Sequence, residues 1–341
     1  ILFEKNSNIK IPPASMTKIM TIYVAFDRIL KTNLSLDQLC IVSAKAYKMG
    51  GSRTFLEIDD QVTLQDLIKG IIIQSGNDAS IALSECLSGT ESDFANLMNV
   101  YAKKLGMNNT NFLNSSGWPN ENHYSTVYDI AILSNYLIRD FPDLYSYFKM
   151  KEFNYNSINQ PNRNKLLYKF EGADGLKTGY TKKSGWGISG SALRGDRRIT
   201  VVINGTNSSR SRLNESSYLL NWAFTQTNPT KLLKKGDIIK NVDVWLGRKS
   251  TVNIIAENDL ISILSFDQLQ QIKSTITYKK PLNAPILKGD KVGTIKIDIA
   301  GKNTIYSSLI AESDVKKVNP LFRIFKALEY LIFGTSLNED K

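Results

Sequence analysis

The sequence predicts an α/β domain, built from an antiparallel sheet with helices, followed by a small β-rich domain and a C-terminal amphipathic helix. Three observations carry this. Residues 15–30 are apolar nearly all round, the pattern of a helix buried on every side. Residues 186–192 and 198–206 form a β-rich stretch. After Thr227-Asn228-Pro229 the chain changes to short strand-like runs broken by turn residues. With 341 residues, 42% of them apolar and 10% aromatic, the chain is long enough for two cores.

In chain order, residues 1–4 read as a strand. Pro12 and Pro13 stop any helix from reaching back, so the buried helix starts at Ser15. Further helices are expected at 63–74, 78–88, 92–105, 126–139 and 210–225, with Gly106 in the C′ position that ends the fourth. The sheet follows the helical block at 186–204. The predicted domains are 1–226, 227–318 and 319–335. In the second, residues 242–246, 261–264 and 274–278 read as strands, and Gly289-Asp290-Lys291 and Gly301-Lys302-Asn303 as turns. In the tail, Arg323, Lys326 and Glu329 mark a polar face, and Leu321, Ile324, Phe325, Leu328, Leu331 and Ile332 an apolar one. It is too short and too polar to span a bilayer but suits a helix lying in the interface.

Three short motifs stand in one order: Ser15-Met16-Thr17-Lys18, Ser75-Gly76-Asn77 and Lys177-Thr178-Gly179. Singly they read as a helix N-cap, a turn between helices and a solvated strand end. Together they match a serine acyl-enzyme set. A serine hydroxyl needs a base within hydrogen-bond reach, and a lysine three residues on shares its helix face. Lys18 is the candidate base. Burial and a second cation lower a lysine pKa, and Lys177 is the candidate cation. Asn77 would hold the Lys18 amine, and Ser75 would relay a proton to the leaving amine. The backbone N–H groups of Ser15 and Tyr180 are the candidate oxyanion hole. Lys177-Thr178-Gly179 reads as an edge strand able to pair with an extended peptide, Gly179 leaving room for the substrate backbone.

With these residues in place the chain resembles the low-molecular-mass penicillin-binding proteins, serine-type D-alanyl-D-alanine carboxypeptidases of peptidase family S11. The residues that carry it are 13–18, 74–79, 152–154, 162–167 and 174–181. The resemblance implies a β-lactamase/transpeptidase-like fold. It also implies acylation of Ser15 by peptidoglycan stem peptides ending in D-Ala-D-Ala, release of D-alanine, and covalent inhibition by β-lactams. It places Arg212, with Thr178, on the substrate's terminal carboxylate, a task that suits the planar guanidinium fork. It implies the periplasmic face of the inner membrane, reached through the C-terminal helix. The loop 49–53 resembles a family loop near the site and is assigned no chemistry. The chain opens at Ile1 with no signal peptide. The resemblance makes residues 1–4 the second strand of a hairpin whose first strand is missing from this chain. Two competing readings are a β-lactamase and a non-catalytic wall-binding scaffold. Glu152 and Asn156 mimic a deacylating pattern, but they fall in a segment read as a hairpin and are taken as a decoy.

Composition narrows the alternatives. His123 is the single histidine and has no triad-like surroundings, so it reads as a loop residue bordering the cleft. No zinc signature and no cofactor motif is present. Cys40 and Cys86, 46 apart in apolar contexts, read as free buried thiols rather than a disulfide, which a periplasmic location would nonetheless permit. The net charge is +11. Residues 1–226 hold 25 basic and 20 acidic side chains, and residues 227–341 hold 18 and 12. The shorter part is more basic per residue, which favours an anionic membrane surface or an acidic wall polymer over nucleic acid, for which no motif exists.

Overall fold

The computed structural model describes residues 1–320, 322–325 and Leu328. The chain divides into two compact units, Phe3–Phe224 and Thr225–Lys341.

The first unit is organised around one helix. A 3₁₀ turn, Ala14–Thr17, leads into the helix Lys18–Thr32, whose residues from Lys18 to Phe26 are all buried. Its apolar side chains meet Leu83, Phe94, Met98, Ile130 and Leu137 in one core, with Phe26 and Tyr23 edge-on to Phe141. Each such fully buried side chain contributes about 1.5–3 kcal/mol. The helix ends where Asn33 turns left-handed (φ 51°) and its N–H reaches Ile29 O.

The neighbouring helices start and stop where their residues direct. Thr90 and Thr126 cap Glu91–Lys104 and Val127–Asp140 by accepting from the N–H three residues on. Gly106 (φ 79°) closes the former, with Met107 N–H on Ala102 O and Gly106 N–H on Lys103 O. The helix expected at 63–74 is regular only over Leu64–Lys69. It widens into a π turn, Gly70–Gln74, and delivers Ser75 left-handed (φ 69°) before the helix Asn77–Ser88 begins.

Three antiparallel strands, Ala173–Thr181, Gly185–Arg194 and Arg197–Thr206, pack in that order, so the first is an edge. The register sets Lys177 opposite Ser189, Thr178 opposite Ile188 and Tyr180 opposite Trp186. The expected strand at residues 1–4 does not form. Those residues join no ladder, and an extended segment without a hydrogen-bonded neighbour gains nothing from pairing.

The cysteine expectation is also corrected. Cys40 and Cys86 form a disulfide, Cα to Cα 5.5 Å. The short strand Leu39–Ile41 lies against the helix Asn77–Ser88, a tertiary contact that a spacing of 46 residues does not disclose.

In the second unit a six-stranded sheet runs in the order Lys273–Tyr278, Lys291–Asp298, Ile305–Ala311, Thr251–Ala256, Ile238–Trp245 and Leu282–Asn283. A separate pair joins Thr227–Leu233 to Leu260–Ser265. Alternate residues such as Val252, Ile254 and Ala256 face one apolar core. Gly289 and Gly301 take positive φ at the expected turns. Of the helix expected at 319–335, Pro320, residues 322–325 and Leu328 are helical, and Phe322, Ile324 and Phe325 are exposed. The rest of that prediction lies outside the described residues. No helix among the described residues is long and apolar enough to cross a membrane.

Candidate active site

The three sequence motifs converge. Ser15 lies in the 3₁₀ turn and Lys18 is the first residue of the central helix, so their spacing brings Lys18 Nζ to 3.1 Å from Ser15 Oγ. The same amine donates to Asn77 Oδ1 (2.7 Å) and to Ser116 O (2.6 Å). With three acceptors the amine is fixed in direction. Asn77 is itself held from both sides. Its Nδ2 donates to Gly50 O at 2.8 Å, and its backbone N–H to Ser52 O at 2.7 Å. The loop 50–56 is tied down in turn by Asp78, which accepts N–H groups from Thr54, Phe55 and Leu56.

Above Ser15 opens a cleft of about 810 Å³, lined by Ser15, Asn77, Ser116, Trp118, His123 and Tyr180 among others. Gly117 (φ 80°) is obligatory on its floor, because a Cβ there would overlap the carbonyl oxygen of Ala14. Ser75 lies buried, and its Oγ has no hydrogen-bond partner among the described residues.

The electrostatics of the site are one-sided. Lys18, Lys177 and Arg212 are all buried. Among the described residues none of the three has a carboxylate within ion-pair distance. Burial, assisted by the charge of Arg163, lowers Lys18 to about 7. Lys177 is held well below its ordinary value by burial and then by the charges of Lys18, Arg163 and Arg212. Burial lowers Arg212 to about 10. Arg163 is thus a cation acting on Lys18 that the sequence did not nominate, and the charge of Lys18 acts in turn on the nominated Lys177.

Thr178 is buried beside Lys177 on the edge strand, and Tyr180 is exposed at the cleft. Gly179 also sits close against the Ser15 turn. A Cβ at this position would meet Pro13 O at 3.0 Å and Ala14 Cβ at 3.3 Å. The glycine lets the strand press against the Ser15 turn. Arg212 reaches the site from the helix Ser209–Gln226, with its guanidinium 5.2 Å from the Trp186 ring.

His123 is buried and lines the cleft. Leu113 N–H donates to its Nδ1, so the proton sits on Nε2, 2.8 Å from Thr17 Oγ1. Burial, then the Lys18 charge, lowers it to about 4, so the ring is neutral at neutral pH and braces the turn between Ser15 and Lys18. Glu152 and Asn156 lie on the exposed hairpin Glu152–Tyr155 and Ile158–Pro161, and neither lines the cleft. Sequence reasoning missed Arg163, the Ser116 carbonyl and the carbonyls of Gly50 and Ser52. The last two sit in the loop 49–53, whose composition was the one available signal.

The family model for D-alanyl-D-alanine carboxypeptidase, peptidase S11, matches residues 1–207. The model for the penicillin-binding protein 5 C-terminal domain matches residues 228–317. The chain is 39% identical over 325 residues to D-alanyl-D-alanine carboxypeptidase DacC of Escherichia coli K12, covering 93% of this chain and 81% of that protein. The crystal structure of DacD from Francisella tularensis superposes with a TM-score of 0.81 at 29% identity, over 93% and 91% of the two chains. Penicillin-binding protein 5 of Haemophilus influenzae gives 0.73 at 33% identity, over 93% and 94%. The chain belongs to the peptidase S11 family of serine D-alanyl-D-alanine carboxypeptidases.

Proposed function

We propose that this chain removes the terminal D-alanine from peptidoglycan stem peptides ending in D-Ala-D-Ala, through an acyl-enzyme on Ser15. The observation that carries the reading is the buried Lys18 amine, 3.1 Å from Ser15 Oγ and lowered to about 7. In its neutral form Lys18 takes the Ser15 proton as Oγ attacks the penultimate carbonyl carbon. The N–H groups of Ser15 and Tyr180 receive the developing oxyanion. Ser75 Oγ passes a proton to the leaving nitrogen, the C–N bond breaks and D-alanine departs. Water then hydrolyses the ester. Arg212 and Thr178 hold the substrate's carboxylate, and Lys177 adds positive charge beside it. Among the described residues no carboxylate lies within ion-pair distance of Lys177 or Arg212, which supports that assignment. A β-lactam, opened by the same attack, remains as an ester on Ser15.

The family and its penicillin-binding relatives support this chemistry. The Cys40–Cys86 disulfide supports an oxidising compartment, and we place the protein on the periplasmic face of the inner membrane. The segment 319–335 would lie along the membrane surface, with the basic second domain beside anionic headgroups. Intact mass followed over time with a penicillin, and Ser15→Ala as control, tests the catalytic reading. A Ser15-dependent adduct lasting minutes or longer is expected. An adduct that vanishes as penicillin is rapidly consumed would make the protein a β-lactamase. No adduct on folded protein would leave the scaffold reading.

A further inference from the structure

Arg212 is weakly tethered for a residue that must present a fixed fork. Its guanidinium makes a single long side-chain hydrogen bond, Nη2 to Ser209 Oγ at 3.4 Å, and no ion pair among the described residues. What stands against it is the indole of Trp186, with Arg212 Cζ 5.2 Å from the ring centroid. The same indole packs on the Tyr180 ring, centroids 4.3 Å apart and tilted by 33°. Trp186 is fixed in turn. It pairs with Tyr180 across the sheet, and its carbonyl accepts from Thr206 Oγ1 at 3.1 Å.

From these contacts we infer that Trp186 is a positioning residue for recognition of the substrate's terminal carboxylate. Its face attracts the guanidinium through the ring quadrupole and fixes the plane in which the fork is offered. Half-burial of the indole strengthens that attraction relative to a fully solvated pair. Because the indole also carries Tyr180, it links the strand segment at the scissile carbonyl to the group that anchors the chain end. Trp186 acts through Arg212 and Tyr180 and touches no reacting atom. The inference rests on the proposed role of Arg212.

The test is the ratio of kcat/KM for an N-acyl peptide ending in D-Ala-D-Ala to that for the same peptide as its C-terminal amide. Wild type, Arg212→Gln, Trp186→Leu and Trp186→Phe are compared, with circular dichroism checking the fold. In Trp186→Leu the ratio is expected to fall roughly five- to tenfold, the loss of one partly desolvated cation–π contact, mainly through KM. Trp186→Phe keeps an aromatic face and recovers most of it. A wild-type ratio in Trp186→Leu, with the ratio lowered in Arg212→Gln, overturns the inference and leaves the Arg212 role standing. A wild-type ratio in both removes the Arg212 role and the inference with it. Should Trp186→Leu not fold, Trp186→Met is read by the same criteria.

Discussion

In the first unit Lys18, Asp78, Glu91, Asp129, Asp174, Lys177 and Arg212 are all buried, whereas beyond Thr227 no polar or charged side chain is buried among the described residues. The contrast sharpens when the signs are separated. The buried acids of the first unit are matched. Asp174 pairs with Arg198 at 2.8 Å, Glu91 with Lys45 at 2.7 Å, and Asp78 with a fan of backbone N–H groups. At the cleft, Lys18 is held by three hydrogen-bond acceptors, whereas among the described residues Lys177 and Arg212 have no carboxylate within ion-pair distance. An uncompensated buried charge costs several kcal/mol, and the second unit makes a core without one. That imbalance agrees with the proposed placing of the substrate's carboxylate on Arg212.

The most severe way to break this comparison is Ser15→Ala. It should abolish the penicillin adduct and lower D-alanine release by on the order of 10⁴ or more, with the fold unchanged by circular dichroism. Lys177→Met sharpens the comparison, because it makes one site residue resemble the second core. Turnover is expected to drop by on the order of 10² to 10³, while the first unit gains about 1 kcal/mol or more in urea unfolding. A loss of stability would mean that the Lys177 charge is compensated after all. Conversely, Ile254→Ala should cost about 2–5 kcal/mol in the second unit and leave the acylation rate within about twofold.

The comparison also extends to pH. Lys18 stands near 7 in the fold against 10.5 in an exposed chain, so the unfolded state binds more protons between these values. Stability of the first unit then rises with pH across that window, by up to about 1.4 kcal/mol per unit from Lys18 alone, and is flat in this group below it. Acylation rises through about pH 7 in the same direction. Lys18→Met should flatten the stability profile.

What was legible in the sequence was whatever local spacing decides. Ser15 and Lys18 three apart, the prolines before them, Gly106 at a helix end and the edge position of Lys177 follow from turn and strand geometry. The misreadings are tertiary. Cys40 and Cys86 meet because a strand packs on a helix, and Arg163 acts on Lys18 from a segment 145 residues away in the chain. The turn lying against Gly179 adds a constraint there that strand logic does not reveal. The Lys18 amine also binds a backbone carbonyl, Ser116 O, which no side-chain pattern can announce.

Gly117 has a bearing on how inhibitor resistance can arise. Any side chain there collides with the carbonyl of Ala14, next to the nucleophile, and the left-handed backbone adds its own strain. Trp118, its immediate neighbour, is exposed on the cleft wall. Variation that reshapes the cleft against a bulky antibiotic is thus open at 118 and closed at 117. One loop thus holds an exposed position beside one that the carbonyl of Ala14 keeps to glycine.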